Sequence, residues 1–115
     1  MKTPNDADRL LHILDAIKKI ERYLDGVELD DFILAEEKID AVVRNIEVIG
    51  EAISGLSREL KSKYPHVEWR IATATRNRLI HGYFNVDPEI IWSTAKFDLS
   101  ELNDSVESIL KELEK

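Results

Sequence analysis

Apolar residues recur at steps of three and four along almost the whole chain, and this spacing predicts helices throughout. The first stretch runs from about Pro4 to Leu24. Leu10, Leu14, Ile17, Ile20 and Leu24 form its stripe, with Leu11 and Ile13 flanking it. Thr3 before Pro4 reads as an N-cap with proline at the first helical position, and Asp25-Gly26 reads as the stop. The second stretch runs from about Asp31 to Gly55, with Ile39, Val42, Ile46, Ile49, Ile53 and Leu56 as its buried stripe. Gly50 in mid-helix costs about 1 kcal/mol relative to alanine, a cost that makes sense where another helix approaches closely. Leu56 to Tyr64 forms a short helix or a turn, closed by Pro65.

The third stretch runs from about Pro65 to Ile80, with Val67, Ile71, Ala74, Leu79 and Ile80 apolar. Gly82 loosens it and Asn85-Val86-Asp87-Pro88 breaks it. Asp87-Pro88-Glu89 then supplies a capping acid, a proline at the first position and an acid in the first turn. In the helix that follows, Ala95, Leu99, Leu102, Val106, Ile109 and Leu113 keep near-heptad spacing, which suits bundle packing. No run alternates as a half-buried strand does. The expectation is an all-α, up-down helical bundle in a single domain over residues 1–115.

Composition narrows the function classes. A chain of 115 residues can hold one core without staples. With no cysteine, a disulfide framework, a thiolate zinc site and a cysteine nucleophile are all excluded. No run of about 18 apolar residues exists, and Met1 to Asp6 shows no apolar leader segment, so a cytoplasmic protein is the expectation. The net charge is −7, so general binding to a phosphate backbone is disfavoured. Any action on RNA needs its cations gathered at one place. Arg70, Arg76 and Arg78 are gathered in this way, while the acids lie in Asp25 to Asp31, Glu36-Glu37 and Asp98 to Glu114.

The segment Arg76-Asn77-Arg78-Leu79-Ile80-His81-Gly82-Tyr83 carries the chemistry. At 100° per residue Arg76 and His81 stand about 140° apart on an ideal helix. Arginine is long, however, and Gly82 offers a place for the helix to unwind, so both can reach one ligand at a cleft edge. Arginine presents a planar fork to phosphate oxygens and stays charged. Histidine moves protons near neutral pH. RNA brings its own nucleophile in the 2′-hydroxyl, so a cation and an acid–base group suffice without a metal. A two-fold dimer would bring two copies of the segment to one site. On the residues alone a plainer reading also stands: exposed arginines, a histidine bonded to the last helix carbonyls, and a core tyrosine.

The spacing of Arg76, His81 and Tyr83 resembles the R-x4-H-x-Y motif of HepT-like proteins of the HEPN superfamily. Pro65 and Trp69 upstream, the Arg76-Asn77 pair, Val86-Asp87 to Trp92, and Ile49-Gly50-Glu51-Ala52 resemble the same family. The resemblance implies a HEPN four-helix bundle that forms a homodimer with a composite cleft. It implies a toxin with metal-independent endoribonuclease activity on RNA and no cofactor, with Arg76 and His81 as the catalytic pair and Asn77 in support. It further implies an antitoxin partner, a minimal nucleotidyltransferase of the MntA type, that transfers AMP to Tyr83. The added phosphate and bulk beside His81 would block the site.

Other residues have plainer readings beside functional ones. Arg44, Glu47 and Glu51 form a polar strip on the second helix, suited to ion pairing, and Glu51 is also placed to orient Arg76 from behind. His12 has Asp8 and Asp15 at helical spacing, a weak metal pattern against a solvated helix face. His66 stands at a helix start. Trp69 and Trp92 read as core or interface anchors, and Tyr23, Tyr64, Phe84 and Phe97 as core rather than base-stacking groups. Two rivals to the ribonuclease reading are a non-catalytic module that binds a nucleotide or the nucleotidyltransferase, and a purely structural helical dimer.

Overall fold

The computed structural model describes residues 5–71 and 87–114. Among these residues every regular element is helical. Helix α1 spans Asp6–Leu24, α2 Leu29–Ile33, α3 Glu36–Gly55 and α4 Arg58–Lys63. Helix α5 spans Pro88–Ser93, and a π-helical turn over Thr94–Asp98 joins it to α6 at Leu99–Leu113.

Helix α1 begins later than Thr3 and Pro4 suggest, and those two residues lie outside the described ones. Asn5 is the N-cap: its side chain accepts from the Asp8 amide while the Asp8 carboxylate accepts from the Asn5 amide. This reciprocal pair satisfies two amides that no helix carbonyl reaches. At the other end the chain leaves through Asp25 and Gly26, and the glycine takes φ 72°, which costs a residue without Cβ little.

The buried line of α1 is Leu10, Ile13, Ile17, Ile20 and Leu24, a strict three-four repeat. Ile13 therefore belongs to the stripe rather than its flank, Leu14 is only partly buried, and Leu11 is 54% exposed. Helix α1 lies antiparallel to α3. At one end the Asp6 carboxylate accepts from the Ser57 amide and hydroxyl at 2.9 and 2.6 Å, and at the other Lys38 donates to the Tyr23 carbonyl at 3.3 Å. Val42, Ile46, Ile49 and Ile53 supply the facing stripe, joined by Leu102, Val106 and Ile109 of α6.

The expected helix over Asp31 to Gly55 is two helices. Ala35 leaves helical geometry at φ −100°, ψ 77°. The break turns α2 so that Phe32 is fully buried and its ring stacks on Trp92 of α5 at 5.5 Å. Leu34, at the corner, is 84% exposed. Glu36 and Glu37 occupy the first turn of α3, where the helix dipole favours acids.

Asp87 caps α5 through the Glu89 amide at 2.9 Å, with Pro88 at the first position, as its sequence indicates. The π turn leaves no mark in the apolar spacing. Leu99 donates its amide to the Thr94 carbonyl, five residues back. In an unbroken α-helix Ile91 and Leu99 would stand about 80° apart. The wide turn lets both be buried, at 0% and 1% exposure, on one face. It also turns Phe97 outward, 67% exposed, against the expectation of a core residue, and Leu113 at the end of α6 is 45% exposed.

Ile46→Ala removes a fully buried side chain from the α1–α3 seam and is expected to cost about 2–5 kcal/mol in urea denaturation. Leu34→Ala at the exposed corner should stay within about 0.5 kcal/mol of the parent.

Candidate functional site

The motif residues Arg76, Asn77, His81 and Tyr83 lie outside the described residues, as do Arg78, Ala74, Leu79, Ile80, Gly82, Phe84, Asn85 and Val86. The structure describes the two ends that hold this segment. On the entry side Tyr64 caps α4, and residues 65–70 form turns rather than the first helical turns expected from Pro65 onward; helix resumes only at Ile71. Val67 is buried, and the Trp69 indole donates to the Tyr64 carbonyl at 3.1 Å. Tyr64 is itself buried, and its hydroxyl donates to the Glu112 carboxylate near the end of α6. On the exit side stands the Asp87 cap of α5. The residues on either side of the segment are thus fixed to the bundle.

Of the supporting residues, Glu51 is exposed on α3 and its neighbour Gly50 is buried. The strip it belongs to forms one ion pair, Arg44 to Glu47 at 3.9 Å, with the Arg44 side chain largely in water. Such a pair contributes little. The acids around His12 have other partners: Asp8 is committed to the N-cap and Asp15 pairs with Lys19 at 3.3 Å. His66 sits in a turn, its ring edge toward Tyr64 at 6.3 Å. Trp92 is an anchor as expected, against Phe32 on one side and under the Lys96 ammonium at 4.7 Å on the other.

One feature of the entry side has little trace in the sequence. Ile53 and Ser54 at the end of α3, Lys61 of α4, and Trp69 and Arg70 of the entry turn line one open cleft. Lys61 points there because its ammonium donates to the Ile53 carbonyl at 3.4 Å. Only the adjacency of Trp69 and Arg70 hints at it. Two cations and an indole beside one another can hold a phosphate and stack a flat ring.

Among the described residues the chain is a bundle of helices, and its sequence carries Arg76, His81 and Tyr83 between the two described ends. The chain belongs to the family described as "Ribonuclease HepT-like", whose model matches residues 13–109. It is 36% identical over 105 residues to "Putative RNase MJ1216" of Methanocaldococcus jannaschii, covering 91% of this chain and 87% of that protein. It is 35% identical over 104 residues to "Probable ribonuclease HepT" of Thermococcus cleftensis, covering 90% of this chain and 94% of that protein. It is also 41% identical over 106 residues to "Gamma-glutamylcyclotransferase and putative RNase MJ0434" of Methanocaldococcus jannaschii. That match covers 92% of this chain but 48% of that protein, so the chain spans about half its length. No solved structure matches the chain. No helix among the described residues is long and apolar enough to cross a membrane.

The Tyr64 hydroxyl has its pKa raised above the ordinary 10.0, first by its hydrogen bond to Glu112, then by burial and by the carboxylate charge. The folded state thus holds this proton more tightly than the unfolded chain. The stabilisation is complete below the unfolded value and is lost as pH rises through the folded one. The gap in urea midpoint between the parent and Tyr64→Phe should therefore hold up to about pH 10 and shrink over the range above it. A gap constant across that range would show that the hydroxyl is not linked to Glu112 in solution.

Proposed function

We propose that this chain is a metal-independent endoribonuclease whose reaction is carried by Arg76 and His81. The observation behind this reading is the family match, whose span includes the R-x4-H-x-Y sequence at Arg76, His81 and Tyr83. Relatives described as RNases support the same activity.

In this reading neutral His81 takes the proton of a ribose 2′-hydroxyl, whose oxygen attacks the adjacent phosphorus. The bond from phosphorus to the 5′-oxygen breaks, and that oxygen takes a proton from a protonated histidine. Arg76 binds the non-bridging oxygens and stabilises their charge as it grows in the transition state. One motif histidine per chain cannot both accept and donate at the same moment. A homodimer with a composite cleft places the His81 of a second copy on the leaving side. Asn77 supports the phosphate, and Glu51, exposed one residue from Gly50, orients Arg76.

Control is part of the same proposal. The chain acts as the toxin of a pair whose antitoxin is an MntA-type minimal nucleotidyltransferase, which transfers AMP from ATP to the Tyr83 hydroxyl with release of pyrophosphate. The adenylyl group brings a negative phosphate to within two residues of His81 and disfavours a second phosphate there.

Purified protein should cut RNA in EDTA. His81→Ala should abolish the cleavage, and Arg76→Ala should lower its rate by about 10²–10³-fold. Intact mass must first establish that Tyr83 is unmodified. An unmodified parent that leaves RNA whole, or a His81→Ala protein that cuts at the parent rate, would overturn the assignment.

A further inference from the structure

We infer that the cleft of Ile53, Ser54, Lys61, Trp69 and Arg70 is a single-stranded RNA subsite that grips the strand beside the cut, an inference resting on the ribonuclease reading above. The cleft has a volume of about 370 Å³, enough to seat one nucleotide unit. Among the described residues no carboxylate lines it.

Its charge runs against the rest of the molecule. The chain carries a net −7, yet residues 57–70 hold four cations, Arg58, Lys61, Lys63 and Arg70, against two carboxylates, Glu59 and Glu68. The Arg9 guanidinium adds to this surface. It lies against Gly55, leaving no room there for a Cβ, and Gly55 adjoins Ser54 of the cleft. This local excess of positive charge favours a polyanion here over the acidic stretches of the chain.

Geometry favours a strand over a free phosphate. Lys61 is held at the cleft wall by the Ile53 carbonyl, and Arg70 is exposed with its fork available to phosphate oxygens. The Trp69 ring, which lines the same cleft, is fixed by its bond to the Tyr64 carbonyl, so it can stack on a base without first losing rotational freedom. Cations tracking a backbone with an aromatic platform between them is the means by which single strands are bound without sequence preference. Two other clefts among the described residues lack this combination. That of Asp15, Lys18, Glu21, Arg22 and Asp25 mixes charges without an aromatic ring. That of Tyr64, His66, Asp104 and Glu112 is acidic and repels phosphate. Arg70 also lies six residues before Arg76, a separation the chain spans in at most about 22 Å, within reach of one short oligonucleotide.

The test uses a fluorescein-labelled single-stranded RNA of mixed sequence and the full chain with His81→Ala, so that the probe survives. Adding Lys61→Ala and Arg70→Ala should weaken binding at least about tenfold. It should also make the slope of log K against log salt shallower by about 1.4, at about 0.7 for each phosphate no longer neutralised. In a Trp92→Phe background the remaining Trp69 fluorescence should be quenched by the RNA. Unchanged affinity and salt slope would overturn the subsite, and so would loss of a protein partner with RNA affinity intact. If the parent still cleaves RNA in a His81-dependent way, the ribonuclease reading survives that failure. RNA bound through Lys61 and Arg70 by a parent that never cleaves would instead sustain the subsite and remove the reaction.

Discussion

The seam between α1 and its two long neighbours is the constraint on which everything else depends. Ile13, Ile17 and Ile20 on one side meet Val42, Ile46 and Ile49 on another and Val106 and Ile109 on the third, all at 1% exposure or less apart from Ile109 at 2%. With no cysteine in the chain, burial of this stripe must do what cross-links do in other small proteins. The capping of α1 and the bond from Asp6 to Ser57 set the register of the seam, and Tyr64 and Glu112 fasten the entry turn to its third member. Trp69, tied to the Tyr64 carbonyl, and the Asp87 cap stand on either side of the motif segment in the chain. Loosening the seam would therefore loosen the frame of the site before it touched any reacting group.

Periodicity makes the helices legible because burial is one-sided and repeats every three to four residues. It puts the stripes of Val42 to Leu56 and Ala95 to Ile109 in the core, where they are found. It cannot show the break at Ala35, because Phe32 and Ile39 are seven residues apart and would share one face of an unbroken helix. Neither glycine nor proline marks that corner; the break exists because Phe32 must meet Trp92. The π turn is hidden for a similar reason. Ile91 and Leu99 are both apolar, and only the tertiary demand that both be buried forces the extra residue into the turn. Pro65 reads as a helix start, whereas the chain turns there so that the Trp69 indole can reach the Tyr64 carbonyl.

The site is legible in a different way. Arg76, His81 and Tyr83 stand out because charged and titratable groups interrupt core-type residues at fixed spacing. The span matched by the HepT-like family, residues 13–109, includes all three. The Lys61–Trp69–Arg70 cleft leaves almost no mark on the sequence, since its three chain segments meet only through the turn at Tyr64.

In the proposed reaction the substrate supplies the nucleophile, while Arg76 and His81 only move charge and protons. Comparing cleavage of an RNA oligonucleotide with that of a copy bearing a single 2′-deoxy nucleotide at the mapped cut probes this division of labour. The all-ribose strand should be cut to a 2′,3′-cyclic phosphate end, and the substituted position should stay whole. Cleavage at the 2′-deoxy position would contradict the mechanism, because the attacking oxygen would then have to come from water.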